Sequence, residues 1–265
     1  MRRIKTEQST LSSSSLGLKF PYTETLHRNI VKWIDKNLTA SPEYAQFQRK
    51  RLGYTIFDDP HEGLADFELP PQIAKQHAVV SGFIGMKASL QTLSQCEYYF
   101  RRFPFRDLPV SRADHLQNVC EFYFSIFYII RSRIKTTLNN LKVACPDSRV
   151  RVQHFLQAFD KQFDREIRVR NQVHHHHSFD DIGLNRITLT GMFAEGDHPG
   201  GAAFFWRMQH QTAYRRFSKQ WSLQAQSRVV MMQVFVEGVA IEILTKAPFL
   251  RFPEDTQTAN DSGGS

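Results

Sequence analysis

Apolar residues recur along most of this chain at spacings of three and four, the period of an α-helix with one buried face. The strongest run begins at Ser111, with Leu116, Val119, Cys120, Tyr123, Ile126, Phe127, Ile130, Ile134, Leu138 and Leu141 in register. That face is about 40 Å long at the 1.5 Å rise of a helix, which predicts a central core helix. Before it, Leu26, Ile30, Trp33, Ile34 and Leu38 predict a helix from Pro21, and Ser41-Pro42 offers an N-cap and a first-turn proline for a second through Arg51. Phe83, Met86, Leu90, Leu93 and Tyr98 predict a helix from about 72 or 78 to 103. Beyond Pro146-Asp147, Val152, Leu156, Phe159, Phe163 and Ile167 mark a further stripe. Two long helices joined by so short a turn are expected to lie antiparallel. A last long helix is expected from 204 or 209 to about Lys246, stopped by Pro248.

Between these stripes the pattern weakens. Thr55 to Pro71 holds Asp58, Asp59, Pro60, Gly63, Pro70 and Pro71, which reads as a linker. Ser178 to Asp181 suits the start of a short helix, while Ile187 to Phe193 is mildly strand-like and Glu195 to Gly201 reads as a loop, which allows a small β-hairpin. The fold class is therefore all-α, an antiparallel bundle of about five main helices with that hairpin as an insert before the last one. Residues 1–17, basic and then Ser/Thr-rich, and 253–265, polar and Gly-ended, read as disordered tails. Residues 18–252 then form a single helical domain, with an N-terminal elaboration over 18–71 and the core bundle over 72–252.

Composition adds a partner and a compartment. With 41% hydrophobic residues and 22 Phe in 265 residues, the chain has material for a proper core. A formal charge of +8 and a pI near 9.5 favour a polyanion, nucleic acid first, although the same arginines also suit the solvated faces of long helices. Cys96, Cys120 and Cys145 are odd in number and without a C-x-x-C pair, so they read as buried thiols of a reducing compartment. The N-terminus lacks the apolar stretch of a signal peptide, and Val229 to Leu244 is too interrupted by Gln233, Glu237 and Glu242 for a membrane span. A soluble, cytoplasmic protein with no membrane partner is expected.

The chemistry concentrates in Ile167 to Asp181, I-R-V-R-N-Q-V-H-H-H-H-S-F-D-D. Arg170 and His174 continue the stripe of Phe163 and Ile167, and a guanidinium facing a core is costly unless it is paired or meets an anion. On a straight helix His175 is rotated about 140° from Arg170 and His174 about 40°. Three solutions are open: the helix loosens at the histidines, the site is completed across a dimer, or His174 is the working residue.

Arg170, Asn171 and His175 form an R-N-x-x-x-H string at a helix end. It resembles the motif of the HEPN domains (higher eukaryotes and prokaryotes nucleotide-binding), which share an arginine, usually a polar neighbour, and a histidine shortly after. The resemblance covers roughly Phe155 to Asp181, together with the helical pattern around it. That family consists of small helical bundles, many of them metal-independent ribonucleases of toxin, phage-defence and CRISPR-effector systems. It implies an endoribonuclease that needs no cofactor, acts on RNA as a homodimer, and answers to an antitoxin or sensor protein. Some members carry a tyrosine two residues beyond the histidine; here that position is His177, so regulation through the tyrosine is not implied.

On this reading Arg170 holds the phosphate, for which an arginine fork is suited. His175 moves a proton or orients the leaving oxygen, and Asn171 positions one of them. His174, His176 and Glu166 are alternates or supports, and Arg165 and Arg168 would bind RNA. Duller readings stand beside these. The histidines can cap a helix whose dipole ends there. Arg170 can pair with Glu166 one turn back. A metal site over His174 to His177 is disfavoured because adjacent side chains diverge and no partner sits at ligand spacing. The aromatic run Phe122 to Tyr128 reads as core rather than as a base-stacking platform.

Overall fold

A computed structural model describes residues 19–57, 67–105, 109–175, 178–196 and 202–252. Eight α-helices lie among them: α1 (Pro21–Ile34), α2 (Pro42–Phe57), α3 (Pro71–Arg101), α4 (Arg112–Ala144), α5 (Val152–Gln162), α6 (Asp164–His175), α7 (Ile182–Glu195) and α8 (Ala202–Lys246). A π-helical turn over Asp35–Thr39 follows α1, and a 3-10 turn over Pro248–Leu250 follows α8. The tails expected over 1–17 and 253–265, and residues 58–66 of the expected linker, lie outside the described residues.

The fold is all-α, and the described residues contain no strand. The small hairpin is corrected accordingly, because Ile187 to Phe193 lies inside α7. Leu184, Ile187 and Thr190 share one buried face of that helix. The hydroxyls of Thr188 and Thr190 donate to the carbonyls of Leu184 and Arg186 one turn back, at 3.2 and 2.7 Å. Packing against α8 decides the conformation over the β preference of threonine and isoleucine.

Helix α4 starts where its capping signal stands. The Ser111 hydroxyl accepts from the Asp114 backbone N–H and the Asp114 carboxylate accepts from the Ser111 N–H, a reciprocal capping box. Helix α3 runs antiparallel to it, since Asn140 donates to the Ala78 carbonyl near one end and a ring nitrogen of His115 meets the Tyr99 carbonyl near the other. Gly82 and Gly85 let the helices close: a Cβ at Gly82 would run into the buried Thr137 hydroxyl, and one at Gly85 into the end of the Arg133 side chain. Helices α5 and α6 lie antiparallel to α8, with Phe159 against Phe235 and Glu166 against Arg228. Trp221 of α8 is the hub of the aromatic core, its ring in contact with Phe100, Tyr123, Phe124, Phe179 and Phe217.

Helix α1 is tied down from far along the chain. Phe20, at its N-cap, has no side chain to satisfy the first N–H groups, and the Glu237 carboxylate does so instead. It accepts from the N–H of Tyr22 and Thr23 at 2.8 and 2.9 Å and from the Thr23 hydroxyl at 2.5 Å. A carboxylate at the positive end of a helix dipole is well placed. Buried Asn29 donates to the Leu250 carbonyl at 2.9 Å.

The three cysteines are free thiols, Cys96 and Cys120 buried and Cys145 half-buried. Burial pushes the Cys96 thiol up to about 12 and raises Cys120 and Cys145 as well, which favours the protonated thiol in each. No helix of the described residues is long and apolar enough to cross a membrane.

Candidate functional site

The stripe expected to run unbroken into the histidines is interrupted at Phe163, where φ is −116° and ψ is 27°. The ring stays fully buried, against Phe127, Phe159 and Phe235, so the core holds the residue at which the helix breaks. Beyond it Glu166 is completely buried, Ile167, Val169 and Val173 pack partly buried against the core, and Arg170 lies on the margin, half-buried.

The Glu166 carboxylate accepts from Arg228 Nε at 2.8 Å, one turn before Arg170 on the same side of α6. The expected pairing of Glu166 with Arg170 gives way to a buried ion pair with Arg228 of α8. Nothing in the sequence spacing points to Arg228, which lies 62 residues on.

Arg170 finds an aromatic partner instead. Its guanidinium carbon sits 3.9 Å from the centre of the Tyr128 ring on α4, within the range of a cation–π contact. Nη1 donates to Asn171 Oδ1 at 3.3 Å, so the two motif residues touch each other. Tyr128 and Phe122 stand on the exposed side of α4, whereas Tyr123, Phe124 and Phe127 are core, so the expected core character of the aromatic run holds for its middle and not for its ends. The clue was present in the sequence, since Phe122 and Tyr128 fall off the three-four stripe.

A guanidinium lying over a ring keeps donors beyond the one given to Asn171, and these suit an anion. Helix α6 stays helical through His175, its last residue, so it does not loosen before that point. The Cα atoms of Arg170 and His175 therefore lie on different sides of α6, about 140° apart. His174 and His175 are placed by backbone alone, and His176 lies outside the described residues. Arg168 is exposed and paired with Asp164 one turn back at 2.5 Å, and Arg165 is exposed. Elsewhere, Arg131 grips Asp160 through two hydrogen bonds of 2.5 and 2.6 Å, joining α4 to α5. The described residues assemble no group of three potential metal ligands.

One concave feature has no counterpart among the sequence motifs. A half-open cleft of about 730 Å³ lies between the corner joining α3 to α4 and the α7–α8 pair. Arg112, from the first turn of α4, is flanked there by the rings of Phe103 and Tyr214 at 5.9 and 5.1 Å. This cleft is about 24 Å along α4 from Tyr128. Comparison with known protein families, with curated proteins and with solved structures finds no match to this chain.

Proposed function

We propose that the protein is a metal-independent endoribonuclease of HEPN type whose site is centred on the C-terminal end of α6. The observation that carries this reading is the Arg170 guanidinium, half-buried, held face-on by Tyr128, in contact with Asn171, and five residues before His175. A fixed guanidinium plane with an open edge is preorganised for phosphoryl oxygens. In the proposed reaction a base takes the proton from a 2′-hydroxyl and the freed oxygen attacks the adjacent phosphorus. The bond to the 5′-oxygen breaks, and that oxygen leaves with a proton. Products are a 2′,3′-cyclic phosphate and a 5′-hydroxyl. Arg170 steadies the crowded anionic phosphorus, His175 handles one of the protons, with His174 and His176 as alternates, and Asn171 orients Arg170. Arg165 and Arg168 extend the basic surface toward RNA. The resemblance further suggests a five-helix HEPN-like core, a homodimer, a cytoplasmic setting and a toxin or phage-defence role under an antitoxin or sensor.

The Cα atoms of Arg170 and His175 lie about 140° apart around α6, which favours a site completed by a second copy supplying the histidine. The same observations favour a second reading, a non-catalytic helical module binding RNA, nucleotide or a partner protein. Arg170 already has an aromatic partner, and the end of α6 carries the negative pole of its dipole, which opposes a phosphate. The test is incubation of the purified protein with total tRNA and mixed single-stranded RNA in EDTA, beside Arg170→Ala and His175→Ala. Cleavage that survives the chelator and is lost in both variants supports the enzyme; RNA binding without cleavage supports the module.

A further inference from the structure

The positive charge of the chain is not concentrated at the motif. Helices α5 and α6 carry four bases, Lys161, Arg165, Arg168 and Arg170, against three acids, Asp160, Asp164 and Glu166. On α8 the stretch Ala202 to Val236 holds Arg207, Arg215, Arg216, Lys219 and Arg228 and no acid. A solvated helix face ordinarily mixes both signs, and this one does not. Helix α7 adds Arg186, and its one acid, Glu195, is its last residue.

Four of these bases are free to meet a ligand. Arg186, Arg215, Arg216 and Lys219 are exposed, and none of them joins an ion pair among the described residues. Arg131, Arg168 and Arg228, in contrast, are held by Asp160, Asp164 and Glu166. Arg186 and Arg216 come together from neighbouring helices, lining a notch of about 180 Å³ with Gln220. The notch has one acid, Asp181, whose carboxylate accepts from the Gly183 N–H at 2.7 Å and so caps α7. Two guanidinium forks beside an amide suit a phosphate group.

The register of the helices brings this surface to the end of α6. Phe159 faces Phe235 and Glu166 faces Arg228, so each step forward along α5 and α6 is a step back along α8. Nine residues beyond Glu166, about 14 Å at the rise of a helix, the backbone of His175 comes level with that of Lys219. Arg215 and Arg216 lie one turn further on.

We infer that this face of α7 and α8 is the surface on which RNA lies, with Arg186, Arg215, Arg216 and Lys219 on its phosphates, and that the strand runs from there to the end of α6. The inference rests on RNA as the partner in the proposed function and not on cleavage. An anionic bilayer asks only for net charge. Three of these four bases are arginines, whose planar forks match phosphate oxygens in pairs and stack on bases, which favours RNA.

The experiment measures binding of a labelled, mixed-sequence 2′-O-methyl RNA by fluorescence anisotropy over a range of salt. The methylated 2′-oxygen cannot attack phosphorus, so binding is read without cleavage. Arg186→Glu/Arg216→Glu is expected to bind at least tenfold more weakly than the wild type, with a melting temperature no lower. Its affinity should also fall less steeply with salt, the log–log slope shallower by about 1.4 for two lost phosphate contacts at about 0.7 each. Arg165→Glu/Arg168→Glu makes the same change in net charge and is expected to lose less. An equal or larger loss in that pair, an unchanged salt slope in the first, or a wild type that binds phosphatidylserine vesicles and not RNA would each overturn the inference. Arg170→Ala is expected to lose cleavage of unmodified RNA while keeping most of the binding. A wild type that binds in this pattern and cleaves nothing would remove the ribonuclease and leave the surface standing, so the two proposals fail separately.

Discussion

The Arg170 guanidinium lies over the face of Tyr128, 3.9 Å from the ring centre, and this pairing joins the end of α6 to the middle of α4. The ring fixes the plane of the guanidinium without occupying its donors. Tyr128→Ala should therefore lower stability by about 0.5–1 kcal/mol, the worth of an exposed cation–π contact. On the ribonuclease reading it should also slow cleavage about tenfold, equivalent to about 1.4 kcal/mol of lost positioning. Tyr128→Phe keeps the ring and should keep both properties. Chemical denaturation beside a single-turnover cleavage assay reads the two effects, and a Phe variant as damaged as the Ala variant would contradict the positioning role.

Glu166 and Arg228 give the opposite kind of pair, one that is buried and structural. Removing the carboxylate leaves Arg228 without its charge partner at a position only 22% exposed. Glu166→Ala should cost about 3 kcal/mol, the lower end for a broken buried pair because Arg228 retains some water. Glu166→Gln should cost less, since an amide oxygen still accepts from Nε. Urea titrations followed by circular dichroism test this. Equal stability of Glu166→Ala and wild type would return Glu166 to a surface role.

Two glycines on one helix should respond differently to the same substitution. At Gly82 a methyl group meets the buried Thr137 hydroxyl, and overpacking of this kind costs about 1–3 kcal/mol against the roughly 1 kcal/mol that alanine returns in helix propensity. At Gly85 it meets the flexible end of Arg133, which can swing aside. Thermal melts should show Gly82→Ala destabilised and Gly85→Ala unchanged or slightly stabilised. Combining Gly82→Ala with Thr137→Ala should recover part of the loss.

Stability should fall as the solution is acidified through the histidine range. Burial holds His77 below its ordinary value of 6.5, and the nearby Lys87 charge, with burial second, does the same for His27. Their neutral forms are favoured in the folded chain. This contribution is fully present above the unfolded value near 6.5 and is lost as pH falls from there through the lower folded values. The melting temperature should drop between about pH 7.5 and about pH 5.5. His77→Gln should shrink that drop, and an unchanged drop in the variant would remove His77 as a source.

Much of the helical framework was legible because cap chemistry and periodicity agreed. Ser111 marks the start of α4, and the stripe from Leu116 to Leu141 is buried as expected. Pro42 and Pro248 mark the start of α2 and the end of α8 as expected. Three features were hidden by their dependence on distant residues. The break at Phe163 lies against Phe127 and Phe235 of other helices, and the partner of Glu166 is Arg228 on α8. The helical state of Ile187 to Phe193 comes from packing on α8 and overrides local preference. Tyr128 could be read as surface from its place off the stripe, but its meeting with Arg170 depends on how α6 docks.

Glu237 satisfies the first N–H groups of α1 from 215 residues further along the chain. During synthesis α1 emerges long before Glu237. Until the second half of α8 follows, the leading amides of α1 have only water as acceptor, although Trp33 can already reach Gln76 and His77 on α3. Anchoring of this helix end therefore waits for α8, and a nascent chain halted short of Glu237 would hold its first helix uncapped and more open to proteases and chaperones.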